Sequence, residues 1–276
     1  MKILIIGATG MLGTDLVKTF KNHDVTAWGS KDIDITDFQE VDSKIKALKP
    51  EVVINAAAYT AVDDCEINRD LAMKVNGEGP GNLAKVCSAI NAILVHYSTD
   101  YIFNGQKKDG YNEDYNEIAP LNVYGESKAL GEKLIRENCK KYYILRIAWL
   151  YGKNGKNFVD TMLKLGKEKP QLKVVNDQHG SPTYTADVAQ RTKKILEAIK
   201  PNFGIYHATN SGNCTWYEFT KEIFRIKNIS VKVAPCSTEE FPRPAKRPAY
   251  SILLNTKLPP MRSWQEALGE YLNQVS

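Results

Sequence analysis

The chain has 276 residues, enough for one large domain or two modest ones. Hydrophobic residues make up 43% and charged residues 25%, which excludes a disordered or fibrous protein. The net charge of +5 comes without a concentrated basic block, so we expect a small acidic ligand and no nucleic-acid partner. No apolar run reaches the roughly 18–20 residues needed to cross a bilayer, so we expect no membrane partner and a cytoplasmic protein.

The cysteines and histidines indicate neither a disulfide framework nor a zinc site. The five cysteines are an odd number and lack Cys-x-x-Cys spacing, so we expect reduced, mostly structural thiols. The four histidines are widely separated and lack the spacing of metal ligands.

Short β-branched runs alternate with longer amphipathic stretches through the first half of the chain. This alternation predicts a parallel sheet with crossover helices. The predicted strands cover residues 2–6, 25–28, 52–55, 93–98 and 142–146, and the predicted helices cover residues 11–20, 38–48, 71–88 and 123–138. Asp37 and Asn122 are predicted N-caps, and Pro80 is predicted to kink or restart the third helix.

The alternation continues beyond residue 150, but the connections lengthen. Predicted elements are strands over 172–175 and 205–208, a helix over 186–199, and a last helix over 264–273 that Ser263 caps. The proline-rich segment 241–248 cannot be helical and is predicted to form a rigid basic loop. We therefore predict an α/β fold in which residues 1–150 form a Rossmann-type doubly wound parallel sheet. In residues 151–276 the sheet edge is predicted to interleave with a smaller C-terminal substrate-binding lobe.

A glycine-rich loop joins the first predicted strand to the first predicted helix. Gly7, Gly10 and Gly13 permit a tight turn there and let backbone N–H groups at the helix N-terminus approach a pyrophosphate. The strand, turn and helix together predict a dinucleotide site that includes Met11 and Leu12. The glycine spacing is similar to that of the extended short-chain dehydrogenase/reductases.

The end of the second predicted strand bears on the choice of cofactor. Many NAD-binding folds carry an acidic residue there, but this chain has Gly29, Ser30 and Lys31. A hydroxyl and an ammonium suit a 2′-phosphate, so we expect NADPH, with NADH possible. The alternative for Lys31 is a solvated loop lysine.

Further cofactor contacts are expected on neighbouring segments. Asp34 and Ile35 resemble the adenine-contacting dipeptide of the same superfamily. The small residues at the end of the next inner strand would let a cofactor pass close to the backbone, unless they serve only helix–sheet packing; they are Ala56, Ala57 and Ala58. Tyr97, on the following strand, is also assigned to the cofactor site.

Tyr124 and Lys128 are four positions apart, so they share one face of the predicted helix. A neighbouring ammonium favours the tyrosine anion and makes the phenol a better proton donor, and Lys128 can also hold the nicotinamide ribose. Tyr217 and Lys221 have the same spacing but follow no strand that carries a hydroxyl, so we interpret them as a helix face. Thr99 ends a buried strand at the carboxyl edge of the sheet, which predicts a hydrogen bond to the carbonyl that Tyr124 protonates.

Six sequence blocks in order carry a resemblance to one family. They are VINAAAYTAVD (53–63), STDYIF (98–103), PLNVYGESK (120–128), RIAWLYG (146–152), DQHGSPT (177–183) and RPAKRP (243–248). Nearly end to end, the chain resembles the dTDP-4-dehydrorhamnose reductases, which complete dTDP-L-rhamnose synthesis in bacteria. The resemblance implies hydride transfer from NADPH or NADH to C4 of dTDP-4-dehydro-β-L-rhamnose, with dTDP-β-L-rhamnose as the product. It implies that Tyr124 donates the proton, Thr99 polarises the ketone and Lys128 tunes Tyr124.

The resemblance also implies substrate contacts by Thr99, Asp100, Trp149 and Arg247. Trp149 matches the sugar-contacting tryptophan of the family, with a core aromatic as the alternative. Arg247 could pair the diphosphate through its planar fork, with a solvated surface arginine as the alternative. Dehydratase relatives have a glutamate where this chain has Tyr101, so elimination of water lacks its acid and base, which favours a reductase.

Oligomeric state and metal binding are weakly indicated. Some members of this family dimerise through magnesium held by acidic side chains. Asp15 and Asp187 match two of those positions but Gln274 matches the third, so we predict no metal and a monomer or homodimer. The alternatives are another nucleotide-sugar reductase or epimerase of the extended family, and a non-catalytic NADP-binding subunit resembling the β subunit of methionine adenosyltransferase. The intact set of Thr99, Tyr124 and Lys128 argues against the second.

Overall fold

The computed structural model describes residues 1–198 and 202–275. Its strands are β1 (Lys2–Ile6), β2 (Asp24–Trp28), β3 (Val52–Asn55), β4 (Ile93–Thr99), β5 (Tyr142–Ile147), β6 (Leu150–Tyr151), β7 (Gln171–Val175), β8 (His179–Gly180), β9 (Thr183–Tyr184), β10 (Gly204–His207), β11 (Cys214–Thr215) and β12 (Lys232–Cys236). Its α-helices are α1 (Met11–Thr19), α2 (Phe38–Leu48), α3 (Val62–Ile67), α4 (Arg69–Ala72), α5 (Gly79–Ala89), α6 (Val123–Asn138), α7 (Phe158–Glu168), α8 (Thr185–Leu196), α9 (Trp216–Ile226) and α10 (Trp264–Gln274). Within this described part, no helix is both long enough and apolar enough to cross a membrane.

Six parallel strands form the central sheet in the order β10-β5-β4-β3-β1-β2. The chain leaves β1 for β2 on one side and then crosses back to β3 on the other. In the register, Ile5 therefore lies between Ala27 and Ile54. Ligands of open α/β sheets bind at the carboxyl ends of the strands where this direction reverses, so the binding crevice is expected beside β1 and β3.

Helices cover both faces of this sheet, because its central strands are apolar on both sides. On one face α1 and α8 pack against the sheet through residues such as Leu12, Leu16 and Val188. On the other face the apolar residues of α2, α5 and α6 pack, including Ile45 and Ile135. The predicted doubly wound Rossmann-type fold is confirmed.

The predicted helix over residues 71–88 is wrong as a single element. The chain instead forms α4, a π-helical segment over Met73–Glu78, and α5. The buried Asn76 of the π segment exchanges hydrogen bonds with the Tyr59 backbone, accepting at 2.8 Å and donating at 3.0 Å. Pro80 lies in the first turn of α5, where its missing N–H costs little, so the predicted restart is confirmed.

The three predicted N-caps are confirmed. Asp37 accepts hydrogen bonds from the backbone N–H groups at positions 39 and 40. Asn122 accepts one from Gly125, and Ser263 forms a capping box with Glu266. The helix predicted over 186–199 is α8, and residue 199, its predicted end, lies outside the described residues.

The residues after position 150 contribute both to the central sheet and to a separate lobe. β10 pairs with β5 at the sheet edge, whereas β7, which contains the predicted strand over 172–175, pairs with β12 in a small sheet of its own. The helices α7, α9 and α10 pack around an aromatic core that includes Phe219 and Tyr271. A division of the chain at residue 150 stays a prediction.

The five cysteines are buried and unpaired. Burial raises the pKa of the Cys87 and Cys214 thiols, which keeps them protonated and unreactive.

A buried ion pair links α6 to β5. Arg146 donates to both carboxylate oxygens of Glu132, at 2.9 and 2.8 Å. Both side chains are almost fully buried, with 3% and 6% of their surface exposed. A buried charge that loses its partner is costly, so this pair fixes α6 against the sheet.

We predict that Glu132→Gln lowers the free energy of unfolding by about 3 kcal/mol, because the Arg146 charge loses its buried counter-ion. Urea unfolding at neutral pH measures the loss. Glu137→Gln, in an exposed pair with Lys133 on the same helix, is the matched control and should cost no more than about 0.5 kcal/mol. Equal losses in the two variants would contradict this account of the pair.

Candidate active site

The glycine-rich loop is held against the end of β3 by backbone packing. Gly7 has a φ of +76°, and a Cβ placed on it would lie 2.6 Å from the backbone nitrogen of Ala57. Gly13, in the first turn of α1, would place a Cβ 2.7 Å from the Cα of Ala8. Gly10 is the N-cap of α1 and no side chain caps this helix, so N–H groups of its first turn face the crevice without a side-chain acceptor.

The predicted nucleotide contacts surround this loop. Ser30 and Lys31 are exposed just beyond β2. Asp34 is also exposed and binds the backbone and side chain of Thr36, whereas Ile35 is buried. Ala56, Ala57 and Ala58 are half-buried after β3.

One acidic side chain beside the loop was missed from the sequence. Asp32 accepts a hydrogen bond from the Gly29 N–H at 2.7 Å, which brings a carboxylate back to the end of β2. Asp32 lies one position beyond the Gly29–Lys31 segment at the strand end, and only the turn brings it back there. A carboxylate here repels a 2′-phosphate. Asp32 therefore favours NADH, whereas Lys31 favours NADPH.

The side chain of Tyr97 is not placed toward the crevice, contrary to its assignment as a cofactor contact. Its phenol is buried in the core and forms a 2.7 Å hydrogen bond with Thr192 on α8. Its carbonyl oxygen instead accepts a hydrogen bond from Lys128 at 2.5 Å. Only the backbone of Tyr97 therefore remains for a cofactor contact.

The structure brings Thr99 and Tyr124 together, from the end of β4 and the first turn of α6. The Tyr124 phenol lies close enough to Thr99 for that hydroxyl to lower its pKa, and the Thr99 hydroxyl donates to Asp100 at 2.9 Å. Asn122 caps α6 and also donates to the Lys246 carbonyl at 2.8 Å, which joins the start of this helix to the proline-rich loop. Two hydroxyls thus lie side by side at the carboxyl edge of the sheet.

Burial dominates the ionisation of this group. It raises the pKa of Tyr124, which the Asp100 carboxyl raises further and the nearby Thr99 hydroxyl lowers. Burial also raises the pKa of Asp100 to about 6. Both groups therefore favour their protonated forms more strongly than they would in water.

Lys128 contacts other groups than Tyr124. Its Nζ lies 2.5 Å from the Tyr97 carbonyl oxygen and 3.1 Å from His96 Nε2. Burial lowers the pKa of Lys128 to about 8. The expectation that this ammonium lowers the pKa of Tyr124 is not met in this conformation, because the amino group is directed toward β4.

Trp149 lies in an aromatic stack at the junction of the sheet and the lobe. Its ring is parallel to that of Trp216, with centroids 3.4 Å apart, and its backbone has a φ of +43°. Trp216 donates from Nε1 to Gln178 at 3.2 Å. No motif in the sequence indicated Trp216, which begins α9 far along the chain.

Arg247 is a fixed side chain and not a solvated one, with 16% of its surface exposed. It pairs with Asp63 at 3.0 Å and donates to the Ala245 carbonyl at 2.7 Å. Its guanidinium lies 5.9 Å from the ring centroid of Tyr101, and that ring packs edge-on against Tyr124. The proline-rich loop thereby reaches the group around Tyr124, and the contact with Asp63 was not predicted from the sequence.

Three residues match positions that hold magnesium in some members of the resembled family, and all three have partners within the protein. Asp15 accepts from the Thr185 hydroxyl at 2.5 Å. Asp187 accepts two hydrogen bonds from Arg262, each at 2.8 Å, and Gln274 lies 3.4 Å from the Tyr184 hydroxyl. A guanidinium therefore neutralises the Asp187 carboxylate.

Known proteins resemble this chain along its whole length. The family described as RmlD substrate binding domain matches residues 1–276. The dTDP-4-dehydrorhamnose reductase of Streptomyces griseus is 43% identical, over 97% of this chain and 91% of that protein. The crystal structure of a dTDP-4-dehydrorhamnose reductase from Clostridium acetobutylicum has a TM-score of 0.95 and 46% identity, over 100% of this chain and 99% of that one. A dTDP-4-dehydrorhamnose reductase from Bacillus anthracis, solved in complex with NADP, has a TM-score of 0.95 and 42% identity over 100% of both chains.

We predict that the free energy of unfolding of the wild-type protein, compared with that of Asp100→Asn, falls as the pH rises. The pKa of Asp100 is raised from 3.8 to about 6, so the folded state favours the protonated form. Protonated Asp100 makes its full contribution to the free energy of unfolding below about pH 4. This contribution is lost as the pH rises through about 6, a change of about 3 kcal/mol. Urea unfolding of both proteins across this range measures the difference, and a difference that is flat or of opposite sign would contradict the prediction.

We predict that Gly13→Ala destabilises the fold by about 1–3 kcal/mol and weakens the protection that NADPH gives against heat, because the methyl group collides with the Ala8 backbone. Gly269→Ala is the matched control in α10, where an added Cβ meets nothing within 4 Å. It should stabilise by up to about 1 kcal/mol, as expected for glycine to alanine in a helix. Thermal unfolding with and without NADPH distinguishes the two, and similar behaviour would contradict the packing argument.

Proposed function

This chain belongs to the RmlD substrate binding domain family, and on that premise we propose that it reduces dTDP-4-dehydro-β-L-rhamnose to dTDP-β-L-rhamnose with NADPH. The observation that carries the proposal is that Thr99, at the end of β4, and Tyr124, in the first turn of α6, lie near each other at the sheet edge that also carries the glycine loop. This arrangement provides a carbonyl-binding hydroxyl and a proton donor beside a dinucleotide site. NADPH is the expected donor, and NADH is an acceptable one.

The residues of the loop fit a dinucleotide. The loop, α1 and β3 are packed so closely that a Cβ on Gly7 or Gly13 would collide with backbone, and the uncapped N-terminus of α1 suits a pyrophosphate. Ser30 and Lys31 would hold the 2′-phosphate, opposed by Asp32. The cofactor supplies a hydride to the substrate carbon when bound.

Side chains of the protein bind the ketone and supply the proton that its reduction needs. The Thr99 hydroxyl turns from Asp100 to donate its hydrogen bond to the ketone oxygen, and Tyr124 gives its phenolic proton to that oxygen as the C4 carbon receives the hydride. A carbonyl thereby becomes an alcohol and Tyr124 becomes a tyrosinate that regains a proton from solvent. Because burial raises its pKa, Tyr124 retains its proton until the more basic alkoxide forms.

The substrate contacts follow from the groups that surround Tyr124. Trp149 offers a flat apolar face to the deoxysugar, supported from behind by Trp216. Arg247 lies against Tyr101 at the edge of this group, and a diphosphate would bind its guanidinium in competition with Asp63. The proposal goes with a cytoplasmic monomer or homodimer whose partner is a dTDP-sugar.

We predict that Tyr124→Phe lowers kcat by about 10²–10⁴-fold, because only the proton donor is removed, and leaves NADPH binding within about twofold. The assay follows NADPH oxidation with dTDP-4-dehydrorhamnose generated in place from dTDP-glucose by the two upstream enzymes. NADH is run in parallel to rank the two cofactors.

Tyr217→Phe is the control for this experiment. Tyr217 belongs to the other tyrosine–lysine pair, in which Lys221 lies over its ring at 5.4 Å on the face of α9, and its loss should leave kcat unchanged. Near-normal turnover by Tyr124→Phe would overturn the assignment of the proton donor. NADPH binding by the wild-type protein without any ketone reduction would overturn the proposed reaction and favour a regulatory role.

A further inference from the structure

Trp149 holds a backbone conformation that a bulky residue rarely adopts. Its φ of +43° lies in the left-handed region, where the Cβ of an L-residue crowds the following carbonyl oxygen. The other described residues with a positive φ are glycine, asparagine or lysine. Such a conformation costs free energy and persists only where the surrounding structure holds it. The contacts of Trp149 therefore identify what keeps it at the junction of the sheet and the lobe.

The Trp149 indole is held on two sides. The Trp216 ring lies parallel to it, with 3.4 Å between the centroids and 7° between the planes. Gly180 packs against the indole so closely that a Cβ on this glycine would lie 2.5 Å from Trp149 Nε1. The Trp149 carbonyl oxygen also accepts a hydrogen bond from the Thr183 N–H at 3.2 Å. Both indoles remain half-buried, so part of the pair stays accessible to a ligand.

Trp216 is itself fixed by directional hydrogen bonds. Its Nε1 donates to Gln178 Oε1 at 3.2 Å, and Gln178 Nε2 donates to the Thr238 hydroxyl at 2.9 Å. The Thr238 hydroxyl donates its only proton to Asp177 at 2.6 Å, so it can only accept from Gln178. An indole N–H only donates, so the direction of each hydrogen bond is determined. The buried Gln178 amide therefore fixes the orientation of the Trp216 ring.

We propose that Gln178 and Trp216 are positioning residues that keep Trp149 at the substrate site and thereby set the affinity for the sugar. Gln178 orients Trp216, and the Trp216 ring supplies the stacking that offsets the backbone cost at Trp149. Neither residue belongs to the group around Thr99 and Tyr124. This role rests on the sugar contact proposed above for Trp149.

This role separates sugar binding from the chemical step. If the stack opens, Trp149 leaves its left-handed conformation and its indole moves away from the sugar. Thr99 and Tyr124 keep their places, because β4 and α6 hold them. An interaction that is equally strong in the ground state and the transition state affects KM and leaves kcat unchanged. Loss of the stack should therefore raise the KM for the dTDP-sugar without lowering kcat.

The first test compares Trp216→Leu with Trp264→Phe. We expect Trp216→Leu to raise the KM for the dTDP-sugar by about three- to tenfold, and to leave kcat and the KM for NADPH within about twofold. Trp264 lies in the same aromatic core but packs edge-on against Phe219, so Trp264→Phe should leave all three constants within about twofold even where it lowers Tm. An unchanged KM in folded Trp216→Leu, or a loss confined to kcat, would overturn the proposal.

The second test asks whether Gln178 acts through the N–H of Trp216. Gln178→Met keeps the length of the side chain and removes the acceptor, so it should raise the KM for the sugar. Trp216→Phe keeps an aromatic ring but has no N–H, so Gln178→Met should add nothing in that background. Additive effects of the two substitutions would overturn the action of Gln178 through Trp216.

A third measurement needs no substrate. The chain has four tryptophans, so ¹⁵N-indole labelling gives four Nε1–H resonances, and Trp149→Phe identifies that of Trp149. A stacked ring shields the indole that it covers, so we expect the wild-type Trp149 resonance to be shifted upfield. Gln178→Met leaves both stacked rings in the protein and should move this resonance downfield, whereas Trp264→Phe should not. An unmoved resonance in Gln178→Met would overturn the positioning role.

Failure of the proposed reaction is distinguishable from failure of this role. If the wild-type protein does not turn over the dTDP-sugar, the proposed reaction is wrong, and the Trp149 resonance still tests how the indole is held. If Trp216→Leu does not fold, Gln178→Met decides. A raised KM together with a displaced Trp149 resonance supports the proposal, and an unchanged KM overturns it.

Discussion

The contact between the Gly7 loop and the end of β3 determines where everything else in the site can lie. Backbone touches backbone there, with no room for a Cβ on Gly7, so the first helix begins at the point where the strand order reverses. Each further parallel strand then delivers its last residues to the same edge. Thr99 from β4 and, through α6, Tyr124 reach this edge because the sheet is continuous from β1 to β5.

The interior of the site favours neutral forms of its ionisable groups. Burial raises the pKa values of Asp100 and Tyr124 and lowers that of Lys128, so each group is displaced toward its uncharged state. The full charges nearby are compensated, as Glu132 is by Arg146 and as Asp63 is by Arg247. Near neutral pH the Asp100 carboxyl and the Lys128 amine therefore change their charge more easily than they would in water.

The sequence predicted the sheet well, because strands buried on both faces are short, apolar runs bounded by glycine, asparagine or threonine. It also placed Tyr124 and Lys128 on one face of one helix, since that depends only on helical spacing. Spacing does not determine a side-chain rotamer, however, and Lys128 is directed to His96 by contacts across the fold. The π-helical segment could not be predicted from the sequence either. It depends on the hydrogen bonds of Asn76 with Tyr59 and Ser127, which are distant in sequence.

The stacked indoles of Trp149 and Trp216 give the protein an optical property of its own. Two indole rings in contact couple their excited states, and the circular dichroism of the pair depends on the angle between their transition dipoles. The two other tryptophans are not part of the stack: Trp28 lies in another cluster, and Trp264 lies in the same cluster as the stack but is not paired with either indole. The junction between the sheet and the lobe therefore carries its own chromophore, whose signal follows the ring geometry independently of the absorbance of any nicotinamide.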